Sequence, residues 1–397
     1  MSENKKVIGE IKELLTHNAK SYMMYAALLV IMIVFQIWTG GLFFTAGNIS
    51  NLFNQAAYVA VLAIGMTLIL ILKHIDLSVG YVAGLSGAVA AILMEKAGVN
   101  VWLAILIVLA MGLVIGFIQG SIVTKIGVPA FVTTLAGMFI FRGLLTRSLS
   151  GTGTIVIDDP AYKALCQGFI PDIPGNTSGI HIVTMIIGVL LVAAIVAGQV
   201  KARNNKIKYG FQVTSFPVFV MGMAAVSVVI LIVCWMLACY RGIPVSAVIV
   251  GVILAAYSFM LSKTRLGRYI YGIGGNEQAA ELSGVDVKKV TLFAFVSMSV
   301  LAAVAGILYS SRLSSATPTA GNAFEMDAIA SSYIGGTAVS GGVGKVTNAI
   351  VGTFVIMSLT NGMNLMGIDI SYQYIVKGII FIIAVAFDIR SRKIMNN

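Results

Sequence analysis

Three histidines, fifteen carboxylates and three cysteines are the residues of this 397-residue chain whose types suit acid–base, metal or thiol chemistry. Their spacing gives that chemistry little to work with. His17, His74 and His181 fall in a tail, a turn and the entrance to an apolar segment, and nothing near them supplies metal-ligand spacing or a nucleophile with its base. Cys234 and Cys239 lie within or at the end of one apolar segment and Cys166 stands alone in a loop, so no disulfide framework or metal cluster is indicated. GGVGKVT, 341 to 347, looks at first like a phosphate loop. Val339 stands where that motif needs its first glycine and Val346 where it needs a hydroxyl after the lysine. YGIGG at 271–275 follows no strand of a βαβ unit, which argues against a dinucleotide site.

The carboxylates, among them Asp76, Asp158, Asp159, Asp172, Glu277, Glu325 and Asp327, are expected in loops, turns or span ends. A proton-driven carrier needs an ionisable group in mid-membrane, and none of the expected spans offers one. Sodium coupling through backbone carbonyls stays open.

The elements that must position these residues follow from composition. The chain is 58% hydrophobic and 10% charged, against about 25% charged in soluble domains, and its mean hydropathy is +0.97. Helices of about 20 apolar residues cross a hydrocarbon core of about 30 Å, and such segments occur at 21–43, 53–72, 77–95, 100–125, 129–147, 179–199, 216–238, 244–262, 291–311, 346–366 and 372–389. No barrel-type alternation appears. The expectation is an all-α, polytopic helical membrane protein with a tail at 1–20, a transmembrane domain over 21–389 and a second tail at 390–397. The first apolar segment reads as an uncleaved span.

The net charge of +11 comes from clusters that the positive-inside rule places in the cytoplasm rather than from a nucleic-acid surface. These are Lys5, Lys6, Lys12 and Lys20; Lys201, Arg203, Lys206 and Lys208; Lys263, Arg265, Arg268, Lys288 and Lys289; and Arg390, Arg392 and Lys393. Both termini are then cytoplasmic and the number of crossings is even. About 12 crossings result if one short or broken crossing lies in EMDAIASSYIGGTAVSGGVGK, 325 to 345. In that reading Gly335, Gly336, Ser340, Gly341 and Gly342 line a translocation path, since irregular backbone at membrane depth needs protein or a water-filled cavity beside it. The competing reading is an extramembrane glycine-rich loop.

The same parity puts KHIDLSVG, 73 to 80, at the cytoplasmic face, where Asp76 or Ser78 can cap the helix that follows. A path or gating role for Asp76 and Ser78 is the alternative. In NEQAAELSG, 276 to 284, Asn276 is the expected N-cap of a short helix, with Glu277 in its first turn. Ala279 and Ala280 would leave room for a partner surface, and Gly284 would end the helix. The extracytoplasmic loop over 148–178, with Asp158, Asp159 and Asp172, either docks a partner through rim charges or is a solvated loop.

KTRLGRYIYGIGGNEQAAELSGVDVKKV, 263 to 290, resembles the cytoplasmic coupling loop of ABC importer permeases in the form found in sugar permeases. IDLSVG at 75–80, GVPAFVTTLAG at 127–137 with FRG at 141–143, and DAIASSYIGGTAVSGGVG followed by NGMNLMGI at 361–368 are similar to the same family, so the likeness runs from about residue 45 onward. The chain resembles the membrane permease of a ribose/xylose/multiple-monosaccharide ABC importer. Two additional spans between about 179 and 240, and YRGIP at 240–244, look more like the xylose and multiple-sugar permeases. Gly272 stands where the family often has alanine, and Lys73 and His74 replace its usual small residues.

The resemblance implies a non-catalytic subunit without a cofactor of its own in the bacterial cytoplasmic (inner) membrane, surrounded by membrane lipid. It implies separate ABC ATPase subunits that bind ATP, an extracytoplasmic sugar-binding protein, and a second permease subunit in a homodimer. Arg268, Asn276, Glu277, Ala279, Ala280 and Gly284 would then carry ATPase coupling. The sugar itself is not named by the sequence. An ion-coupled secondary transporter or channel for small polar solutes stays open beside this reading, with a membrane receptor third.

Overall fold

The computed structural model describes residues 19–395; nearly all of the expected tail at 1–20, and the last two residues of the tail at 390–397, lie outside them. Helices build almost all of it: α1 Ala19–Trp38, α2 Ala46–Ile71, α3 Val79–Ala91, α4 Val101–Ser121, α5 Ala130–Leu149, α6 Pro160–Gln167, α7 Ile182–Lys208, α8 Phe216–Ala238, α9 Val245–Lys263, α10 Arg265–Gly275, α11 Glu277–Leu282, α12 Val287–Leu313, α13 Phe324–Ile334, α14 Val346–Leu365 and α15 Ile370–Met395. Among the described residues, nine helices are long and apolar enough to cross a membrane, and Met23–Trp38 and Ile370–Ile383 are shorter apolar stretches. This is an all-α, polytopic membrane protein. α15 runs on to Met395, so the described part of the expected second tail is helical.

α2 is the central helix of the bundle. Its most apolar window is 94% buried, against 6% for α8. α12, α14, α13 and α9 surround α2, and α12 in turn packs on α3 and α4. Small residues let these backbones meet. On α4, a side-chain carbon added at Gly112, Gly116 or Gly120 would stand 2.9, 2.6 or 2.7 Å from atoms of α12 or its side chains. Polar pairs add direction between helices at about 0.6 kcal/mol each. Asn48 and Asn361 exchange bonds of 2.9 and 3.0 Å between α2 and α14, and the hydroxyls of Tyr257 and Ser297 lie 2.6 Å apart between α9 and α12.

Two non-helical stretches break the regularity. The irregular stretch 72–78 joins α2 to α3, and 317–323 leads into α13. The starts of α3 and α13 meet inside the bundle: Gly80 and Gly321 are so close that a side chain at Gly321, whose φ is +87°, would overlap the Gly80 carbonyl. α13, with 11 residues, rises only about 16 Å at 1.5 Å per residue. The start of 325–345 is thus a short helix, as expected, and it packs on α2 and α14.

The two ends of the bundle differ. At one, β1 Ile155–Val156 pairs antiparallel with β2 Ser315–Ala316, and α6 clamps the end of α12. Tyr162 is fully buried with its hydroxyl 2.7 Å from that of Ser310, and Gln167 donates to the carbonyls of Ser311 and Arg312. At the other end lie α10 and α11. The sequence predicted one short helix in this loop. α10 precedes it because Leu266, Ile270 and Ile273 recur at helical spacing and pack inward, a pattern masked by the glycines among them.

Candidate functional site

At the α10–α11 end the local expectations hold. The Asn276 side chain accepts from the Ala279 N–H at 3.0 Å, Glu277 lies in the first turn, and Gly284 adopts φ +82°. Arg268, Glu277 and Ala279 are exposed. Ala280 is a correction: it is 8% exposed and belongs to the core, because the helix turns that face onto the bundle. The side chain that projects instead is Leu282, 91% exposed. It lies three residues beyond Ala279 and so shares its face, a signal present in the sequence. Asp286 caps α12; bonds from Lys289, first from its N–H, hold its carboxyl below the usual range.

Three distant segments are pinned together beside α11. The Gly342 N–H donates to Ile71 O at 2.9 Å, Tyr271 Oη to Gly344 O at 2.7 Å, and Lys73 Nζ to Gly275 O at 3.4 Å. A side chain at Gly274 would overlap the Ile71 carbonyl oxygen, and one at Gly341 would overlap Lys73. The end of α2, the end of α10 and the turn after α13 therefore form one knot, closed by glycine.

Deeper in, the stretch 72–78 is held by buried polar contacts. Asp76 is fully buried; its Oδ1 accepts from the N–H and hydroxyl of Ser78 at 2.9 and 2.7 Å, while Oδ2 has no partner. The capping group at the start of α3 is thus Asp76, and Ser78 makes no cap bond of its own. Gln119 donates to Ser78 Oγ at 3.0 Å, and Thr134 to Ile75 O at 3.2 Å.

Glu325 and Asp327 begin α13 as expected, but they are 6% and 9% exposed, deep rather than solvated. Asp327 takes both its oxygens to Lys377 Nζ on α15 at 3.0 Å. Glu325 Oε2 has no hydrogen-bond partner and lies over Gly80 in the first turn of α3, where the helix dipole favours negative charge. Phe324 packs between Tyr58 and Tyr309 at 4.7 and 4.8 Å.

Of the residues expected to line a path, Asp76, Ser78, Gly335 and Gly341 are buried in protein and Ser340 is exposed. Gly335 abuts Ala349, seating α13 on α14, and Gly336, at φ +89°, forms the turn that follows. At the ribbon end, Asp159 caps α6 through Ala161 and Tyr162, and the side chain of Asp158 is 82% exposed beside Lys163. Asp172 accepts from the N–H groups of Ile182 and Val183 and from Asn176, so it ties its loop to the start of α7. Among the described residues no three His, Cys, Asp or Glu converge as metal ligands.

A family model described as "Branched-chain amino acid transport system / permease component" matches residues 48–163 and 169–385. The chain is 38% identical over 385 residues, 97% of this chain and 95% of the relative, to the xylose transport system permease protein XylH of Escherichia coli (strain K12). It is 37% identical over 378 residues, 95% of this chain and 98% of the relative, to XylH of Haemophilus influenzae. It is also 34% identical over 346 residues, 87% of each chain, to the ribose import permease protein RbsC of Escherichia coli (strain K12). No solved structure matches it.

Proposed function

The chain belongs to the family of permease components of the branched-chain amino acid transport system type, and from that premise we propose that it is the membrane subunit of a binding-protein-dependent ABC importer for monosaccharides of the xylose or ribose type. The observation that carries the reading is the likeness over 97% of the chain to a xylose permease. The α10–α11 end is the cytoplasmic end and both termini lie on that side, in the inner membrane. α11 enters a groove on a separate ATPase through Glu277, Ala279 and Leu282, with Arg268 beside it. The ribbon end meets the sugar-binding protein, with the exposed carboxylate of Asp158 there. A second copy completes the permease pair.

The knot gives this reading its mechanics. Closure of the ATPases on ATP displaces α11; Gly274 and Gly275 pass that displacement to Ile71 and Gly342, which end α2 and follow α13. Ile71 leads through 72–78 to the start of α3 and Gly342 follows the far end of α13, so the displacement reaches the separate contact of Gly80 with Gly321 where the two helices start, and their parting opens the path. Coupling energy reaches a distant site through a packed element with two arrangements.

The test is to co-purify the chain with the ATPase and binding protein encoded beside it, and to measure ATP hydrolysis and uptake in proteoliposomes. Xylose or ribose carried by the binding protein is expected to stimulate both. Sugar flux through the chain alone in liposomes would instead establish an ion-coupled carrier or channel.

A further inference from the structure

α5 carries a guanidinium where lipid would not accept one. Arg142 is exposed between the exposed Phe139, Ile140 and Leu144 on a 20-residue helix. It stands about 18 Å from the start of that helix and about 10 Å from its end at 1.5 Å per residue. Charged side chains at such depth face a protein partner or a water-filled cavity. Among the described residues Arg142 has no carboxylate partner; its guanidinium rests on the ring of Tyr81 at 5.7 Å. It also borders a shallow, open dip lined by Phe139, Thr146, Arg147 and Ser150.

The polar surface continues from there. Tyr81 Oη donates to Asn322 Oδ1 at 3.4 Å, and Asn322 Nδ2 to Tyr374 Oη at 3.4 Å. These bonds are long, and Asn322 and Tyr374 are exposed, so their groups are free to exchange one another for a ligand's. Immediately behind, the Oε2 of Glu325, a side chain more than nine-tenths buried, has no partner. A fork of donors, an amide that donates and accepts, and two phenols form a set that fits vicinal hydroxyls and the C–H face of a sugar ring.

We propose that Tyr81, Arg142, Asn322 and Tyr374 form a sugar subsite on the permease, holding a neutral monosaccharide through its hydroxyls as it crosses between the two copies. This rests on the importer reading above and assigns the permease a share of substrate selection.

The test uses the full complex with its own binding protein in proteoliposomes. Arg142→Gln, Asn322→Ala and Tyr374→Phe are expected to lower xylose uptake about tenfold, as for the loss of one charge-assisted or ligand hydrogen bond, with the copurified ATPase unchanged. Arg142→Lys is not expected to rescue, because an ammonium lacks the planar fork. Asn322→Ala and Tyr374→Phe should also narrow the difference in uptake between xylose and its monodeoxy analogues, which a merely structural role would leave alone. Ile140→Ala is the control and should transport as the unsubstituted complex does. Uptake within twofold of normal in all three variants overturns the subsite. Loss of the permease pair on cross-linking in these variants overturns it too, in favour of a contact between copies. Failure of the unsubstituted complex to take up sugar overturns the importer reading itself.

Discussion

At Asp76 one carboxylate oxygen takes both of Ser78's hydrogen bonds and the other takes none, so two substitutions separate its roles. Asp76→Ala leaves the Ser78 N–H buried without an acceptor and is expected to cost about 1–3 kcal/mol. Asp76→Asn keeps a carbonyl oxygen and should cost less; thermal unfolding in detergent measures both. Asp172 gives a pH prediction. Desolvation acts to raise its carboxyl, but bonds from Val183, Asn176, Ile173 and Ile182 outweigh it and hold it well below the usual range. A depressed folded value means stabilisation that is present above the unfolded pKa of about 3.9 and lost as pH falls through the lower folded value. Proteolytic protection of the 169–181 loop should therefore persist from pH 7 to about pH 4 and fail only below. Asp172→Ala should lose it already at neutral pH. At this scale Asn276 and Gly284 were legible because caps are set by neighbouring residues; the inward turn of Ala280 was not, because it depends on where α11 lies against the bundle.

The α10–α11 hairpin is the element on which coupling is proposed to depend. Glu277→Arg and Leu282→Asp are expected to lower ATPase copurification about tenfold, the effect of losing one strong interface contact, with thermal stability unchanged because both side chains are exposed. Ala280→Trp probes something else: it overfills a buried site, and about 1–3 kcal/mol of destabilisation is expected. Gly274→Ala forces a methyl group against the Ile71 carbonyl, so the knot must open. Sugar-stimulated ATP hydrolysis should fall while the ATPase still binds. Equal stimulation in that variant would remove the knot from the coupling route.

The bundle as a whole divides into a buried centre and a detachable margin. α7 and α8 pack chiefly on each other, with windows 11% and 6% buried, and their bases are already joined, since the His181 N–H donates to Ala238 O at 3.0 Å. Replacing residues 186–235 by a short Gly-Ser link removes two antiparallel helices together and keeps that base. The shortened chain is expected to remain folded by size-exclusion chromatography and to retain ATPase copurification. The class, the helical segments and a short helix at the start of 325–345 could be read from the sequence, because hydropathy over 20 residues and the cost of an unsatisfied backbone in lipid are local quantities. So could the cap and stop of α11. The burial of Glu325 and Asp327, the meeting of Ile71, Gly274 and Gly342, and the exposure of Arg142 could not. Each depends on which helices lie side by side, and neighbours far apart in sequence are chosen by packing, which only the tertiary structure decides.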